Sequence, residues 1–297
     1  RRERPVTAPA PASPAPVSPM TGAPDLGPTP SGGVKGFGHL LVSESTKIRS
    51  VRSTVWTLIA FVVVTIGFTV LFTALISANW GNGPNHVSRD ATILADPVTF
   101  IMGAGINLGQ LTICVLGVLV ITTEYSTGVI RASLLAVPRR FPMLIAKIVV
   151  FAVLILVLSE IVVICSFLIG SSIIHSHAPV SLGDPGVTRA VVGAGLYLTV
   201  LGLFAMGIGG LIRHTAGAMF TVIGVVLVLP ILSGLLPGSW GAHINAYLPE
   251  QAGSLIATHA NTNAAHLLSP WEGFGVLCIW AALMLGGAFY LLRHRDA

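Results

Sequence analysis

Apolar residues gather along this chain into six long runs: Val55–Ala78, Phe100–Thr122, Met143–Ile174, Ala190–Ile212, Ala216–Leu236 and Gly273–Leu292. Crossing a bilayer as a helix takes about 20 residues, so each run is read as a membrane span. Several runs are preceded by residues that start helices. Asp96-Pro97 offers an N-cap followed by a proline at the first helical position. Ser269-Pro-Trp-Glu272 has the spacing of a capping box, and Trp271 suits a membrane interface. Thr215 is placed to cap the fifth span after the turn Arg213-His214.

The gap between the second and third runs, Thr122 to Lys147, has a pattern of its own. Ile130, Leu134 and Val137 fall at i, i+4 and i+7 and share one helical face. Ser126 or Thr127 caps this short helix, and Pro138 ends it because the residue before a proline disfavours αR. Arg131, Arg139, Arg140 and Lys147 make the gap cationic. An amphipathic helix held between two spans either follows the membrane plane or fills a groove on a soluble partner.

Residues 1–36 are rich in Pro, Ala and Ser without apolar periodicity, and lack the continuous apolar core of a signal peptide; they read as a disordered tail. Residues 37–297 then form one membrane domain. In Phe37–Arg52, Leu40, Leu41, Ile48 and Val51 gather on one helical arc, with Lys47 and Arg52 at its edges. Glu44 interrupts the arc. The segment suits a helix in the headgroup layer, the alternative being a plain basic flank. Between the fifth and sixth runs, Ile244–Leu248 and Ala252–Ala257 are too short to cross and are punctuated by Pro249, Gly253 and Asn261. One or two short helices dipping into the outer leaflet fit there.

Composition agrees with the pattern: 53% hydrophobic residues and 9% charged, with a mean hydropathy of +0.85, define an all-α polytopic membrane protein. The net charge of +5 speaks to topology and not to nucleic acid. With the amino end inside, every Lys and Arg except Arg89 and Arg189 falls on the cytoplasmic side, which places both termini there. Cys114, Cys165 and Cys278 lie within apolar runs as free core thiols.

The chemical motifs of enzymes are missing. There is no P-loop, no Gly-x-Ser-x-Gly, no His-Glu-x-x-His and no Cys-x-x-Cys, so this chain is expected neither to catalyse nor to bind a metal or nucleotide itself. His175, His177 and Asp184 have metal-binding atoms but no firm third ligand, and read as solvated loop residues. Glu160 stands inside the third run, where an ionised carboxylate is costly and marks a functional group. The alternative is that it is protonated or hydrogen-bonded to another helix. Asn107, Gln110 and Thr112 in the second run either line a polar path or hold helices together. Gly105-x-x-x-Gly109 and the cluster Gly207, Gly209, Gly210 permit close helix packing.

The order of these parts resembles the membrane subunit of ABC transporters of the type-2 exporter (ABC2 permease) family, actinobacterial members above all. The likeness runs from Leu40 to Ala297 and rests on several stretches. These are Ser43-Glu-Ser-Thr-Lys-Ile-Arg-Ser-Val-Arg-Ser-Thr54, Glu124-Tyr-Ser-Thr-Gly-Val-Ile-Arg131 with Pro138-Arg-Arg140, and Arg213-His-Thr-Ala-Gly-Ala218. Tyr247-Leu-Pro-Glu-Gln-Ala-Gly253, Leu268-Ser-Pro-Trp-Glu-Gly273 and the ending Leu292-Arg-His-Arg-Asp-Ala297 complete the set. Ser45 departs from the pattern, since close relatives tend to carry tryptophan there.

The resemblance implies a six-span permease in a bacterial plasma membrane, paired with a second permease subunit and with separate P-loop ATPase subunits that bind ATP and Mg²⁺. Phe37–Arg52 would be its elbow helix. Residues Glu124 to Arg140 would be its coupling helix, with Glu124, Tyr125, Gly128, Ile130, Arg131, Leu134, Val137, Arg139 and Arg140 meeting the ATPase or phospholipid. Substrate would pass between the permeases along the second and fifth spans; Asn107, Gln110 and Glu160 are the polar residues placed for a path. A stand-alone channel or a proton-coupled transporter working through Glu160 is the alternative, and an intramembrane enzyme is poorly supported.

Overall fold

A computed structural model of the chain describes residues 52–83, 85–126, 140–236, 239–259 and 268–295. Every regular element among them is helical. In chain order these are α1 (Arg52–Ala78), α2 (His86–Ala95), α3 (Pro97–Ser126), α4 (Arg140–Ile174), α5 (Val187–Ile212) and α6 (Thr215–Ile223). A π-helical turn, Gly224–Val228, leads into α7 (Leu229–Gly234); α8 (Ser239–Ala246), α9 (Pro249–Ser254) with a 3₁₀ turn Leu255–Ala257, and α10 (Pro270–Arg295) follow. Six stretches are long and apolar enough to cross a membrane: Arg52–Ala78, Pro97–Tyr125, Leu144–Ile174, Val187–Ile212, Thr215–Gly234 and Pro270–Leu292. This is the architecture of a multi-pass membrane protein. One end of the bundle, called proximal below, carries residues 52, 126, 140, 213 and 295; the distal end carries the connections after α1, α4 and α7.

Two spans begin three residues before their apolar runs because of their caps. Asp96 Oδ1 accepts from the Thr99 amide at 3.0 Å, with Pro97 at the first helical position. Ser269 and Glu272 form the reciprocal box, Ser269 N donating to Glu272 Oε2 at 2.8 Å and Glu272 N donating to Ser269 Oγ at 3.4 Å. At the fifth span the cap differs from the expectation. His214 is the N-cap, its Nδ1 accepting from the Gly217 amide at 3.2 Å. The hydroxyl of Thr215 turns instead to the second span, donating to Thr122 Oγ1 at 3.0 Å.

α5 is the axis of the bundle. Its most apolar stretch is 78% buried, against 17% for the fifth span, and α3, α4 and α10 all pack on it. Its apolar residues run round the whole helix, as a fully enclosed helix requires. Its glycines let neighbours close in: Gly209 lies against Val118 and Ile121 of α3, and Gly207 against Met284 and Leu285 of α10. On the other side of α3, Gly105 and Gly109 sit directly on Thr69 and Thr65 of α1, with no room for a Cβ. The predicted small-residue motif is therefore the α1–α3 contact.

The fifth span is built in three pieces. Pro230 has no N–H, and its ring would clash with the carbonyl four residues back in a regular helix. The chain widens into the π turn just before it, where Leu229 N donates to Gly224 O. Between the fifth and sixth spans lie the short helices α8 and α9 and the 3₁₀ turn. Pro249, read as a break, is the first residue of α9. Gly253 seats α9 between Leu277 of α10 and the Tyr197 ring of α5, and Trp280 Nε1 donates to Tyr247 O at 3.0 Å. The distal helix α2 has no counterpart in the sequence reading. Its Asp90 accepts from the Gly81 amide at 2.9 Å, and Arg89 Nη2 donates to Asn79 O at 2.9 Å.

Candidate functional site

At the proximal end, α3 delivers Glu124 and Tyr125 in its last turn, and α4 returns Lys147 two turns in. Lys147 Nζ lies 2.5 Å from Glu124 Oε1, with only 3% of the lysine side chain exposed. The two groups face one shallow cleft with Ile121, Leu144 and Leu292. Arg213, which closes α5, holds a left-handed backbone (φ 59°) and sets its guanidinium 5.0 Å from the centre of the Tyr125 ring. A cation over an aromatic face is attracted by the ring quadrupole. The Thr215–Thr122 hydrogen bond lies one turn above. Two proximal connections are therefore tied to the end of α3.

Of the residues expected to form a coupling helix, Glu124 and Tyr125 stand in this cluster. Gly128, Ile130, Arg131, Leu134, Val137 and Arg139 lie outside the described residues, and Arg140 opens α4. Phe37–Val51 and the tail also lie outside them. Sequence reading counted Lys147 among the loop cations; its place inside an apolar stretch was the available sign that it would be buried and paired. Arg213 carried no such sign.

The three residues expected along a path have different surroundings. Gln110 is buried in the α3–α5 contact, where its Oε1 accepts from the Tyr197 hydroxyl. Asn107, one turn away, is exposed on the outside of the bundle. Glu160, on α4, is half-buried against Gly195 of α5, and a Cβ on Gly195 would collide with its carboxylate. The Ser159 hydroxyl beside it binds inward, 2.6 Å from Ile155 O and 3.1 Å from Gly195 O.

A further acid, Glu250 of α9, extends the Gln110–Tyr197 contact and was not singled out from sequence. It is buried, close enough to act electrostatically on the Tyr197 hydroxyl, and accepts from Gln251 Nε2 at 2.7 Å. Burial pushes its pKa up to about 7 against the restraining Gln251 bond. At the distal end His177 stacks on Trp80 with ring centres 4.7 Å apart, and Asp184 accepts from the Ser181 amide at 2.8 Å. No group of three or more His, Cys, Asp or Glu able to hold a metal occurs among the described residues. The chain matches no protein-family model and no curated protein.

Proposed function

We propose that this chain is the transmembrane subunit of an ATP-driven exporter of the ABC2 permease type, working as a dimer with separate ATPase subunits. The observation that carries the reading is the tying of the Glu124 end of α3 to α4 through Lys147 and to the α5–α6 turn through Arg213. A loop whose stem is fixed to three spans can pass a push at its tip into the bundle, which is what a coupling element must do. The motif order from Ser43 to Ala297 supports the same reading.

In this reading Phe37–Arg52 is the elbow helix and residues 124–140 form the coupling helix at the cytoplasmic face. The short helices α8 and α9 re-enter the outer leaflet, and both termini are cytoplasmic in a bacterial plasma membrane. ATP and Mg²⁺ belong to the partner ATPase, and no residue of this chain is assigned a catalytic role. The exposed amide of Asn107 within a span suits a face covered by a second permease subunit and passing substrate, because an amide against acyl chains forfeits its hydrogen bonds. The tagged chain purified from its native membrane should bring a P-loop ATPase with it. Recovery without any ATPase would favour the second reading, a channel or proton-coupled transporter. What favours that alternative is the carboxylate of Glu160, which has no hydrogen bond or ion pair among the described residues.

A further inference from the structure

Glu160 presents a problem that the chain's own residues do not solve. It lies about 20 Å along α4 from Lys147, at 1.5 Å per residue, and about as far from Ile174 at the distal end. No Lys, Arg or His stands within the middle of any of the six spans. Those that fall within them lie near their ends, and the nearest on α5, Arg189, donates to Thr258 O at 3.0 Å. A second copy of the same chain would bring no cation to this depth either. Lipid headgroup amines stay at the surface.

The carboxylate is only half-buried, on the side of the bundle. It lies where a side chain at Gly195 would be, and the backbone there is held by Ser159 and Thr199. Val157 and Ile161 of α4 and Val192 of α5 stand exposed on the surface of the bundle. An ionisable group at mid-membrane depth persists where it has a partner or a function. A partner that fits here must reach it through lipid, carry positive charge and offer apolar surface to those aliphatic side chains.

We propose that Glu160 is the charge-recognition group of a mid-membrane site for lipid-soluble organic cations, reached from the bilayer on the outer side of the α4–α5 contact. The site deepens the transport reading by naming a substrate class; it rests on that reading for the passage of the ligand and not for its binding. The carboxylate, seated against Gly195, supplies the charge, and the exposed valines and isoleucine the apolar contact.

The test is equilibrium binding of tetraphenylphosphonium to the purified full-length chain in detergent, without an ATPase. Wild type should bind it saturably, and Glu160→Gln should bind roughly tenfold or more weakly, as expected on losing one partner of a desolvated charge pair. Glu160→Asp, which keeps the charge, should retain binding. Triphenylphosphine oxide, neutral and of similar shape, should not displace the cation. Should the Gln variant fail to fold, the wild type alone decides: tetraphenylphosphonium should protect Glu160 from dicyclohexylcarbodiimide, read by mass spectrometry. Absent saturable binding, equal binding by the Gln variant, displacement by the neutral oxide or lack of protection would each overturn the proposal. None of these results bears on whether an ATPase co-purifies, so the exporter reading fails or stands separately.

Discussion

Lys147 of α4 and Glu124 of α3, 23 residues apart in sequence, meet at 2.5 Å on either side of the connection between the two spans. A nearly buried ammonium without its carboxylate is left charged in a poor solvent, and breaking such a pair costs about 3–5 kcal/mol. Glu124→Gln is therefore expected to lower thermal stability in detergent strongly. Glu124→Gln combined with Lys147→Met should recover most of the loss, since both charges then leave the interior together. A double variant no more stable than the worse single one would mean that the pair is not the reason for the loss.

Arg213 and Tyr125 should behave as a coupled pair too, on a smaller scale. The left-handed backbone at Arg213 is strained for a residue with a Cβ, so Arg213→Gly removes the cation while relieving that strain. Tyr125→Leu is expected to cost about 1 kcal/mol in the wild type beyond its loss of area, and less once Arg213 is glycine. A double-mutant cycle on unfolding free energy measures the difference. Additive losses would remove the contact from consideration as a link between the α5–α6 turn and α3.

How far such contacts are legible from sequence depends on their reach. The six spans are written in runs of apolar residues, and the boxes at Asp96 and Ser269 mark two starts through residues three apart. The cap at His214 went unread because an imidazole nitrogen does the work usually left to a hydroxyl or carboxylate. Which span is central could not be read at all. Lipid-facing and buried positions are both apolar, so Val157 and Ile155 look alike although one is exposed and the other enclosed. Gln110 with Tyr197, 87 residues apart, depends on that arrangement. The glycines of α5 were visible, but their partners on α3 and α10 were not.

The buried acid of α9 predicts a pH dependence with a definite sign. With a pKa of about 7 in the folded chain against an ordinary 4.5, Glu250 binds its proton more tightly folded than unfolded. Its contribution is fully present below about pH 4.5 and is lost as pH rises towards about 7, on the order of 3 kcal/mol in total. Thermal melts across that window should fall more steeply for wild type than for Glu250→Gln, whose amide keeps one shape at all pH values. Parallel curves would show that the carboxyl at 250 is not shielded by the Tyr197 side of α5.

The proposed orientation rests on the distribution of cations and is checked by cysteine labelling in intact cells. An impermeant thiol reagent should modify a cysteine placed at Ser88, which is exposed at the distal end in α2. The same reagent should leave one at Ser133 untouched if the cationic cluster around it marks the inner side. Reaction at Ser133 from outside would invert the topology and remove the loop from any cytoplasmic partner.

The proposed coupling role is tested at the loop's apolar face. Ile130, Leu134 and Val137 share one side of the helix that their spacing predicts, and Arg131 lies off it. Burying one aliphatic side chain in a partner's cleft contributes about 1.5–3 kcal/mol. Losing two together should weaken docking by a factor on the order of a hundred or more, at about 1.4 kcal/mol per tenfold. Ile130→Asp with Leu134→Asp is expected to leave insertion and the Glu124–Lys147 pair intact, because the changed positions lie between the spans, while the ATPase no longer co-purifies. If the helix instead rests on lipid, the same change alters membrane-surface contact and the complex survives. Normal recovery of an active complex from the double variant would therefore move the energy coupling away from this loop, whatever holds its stem.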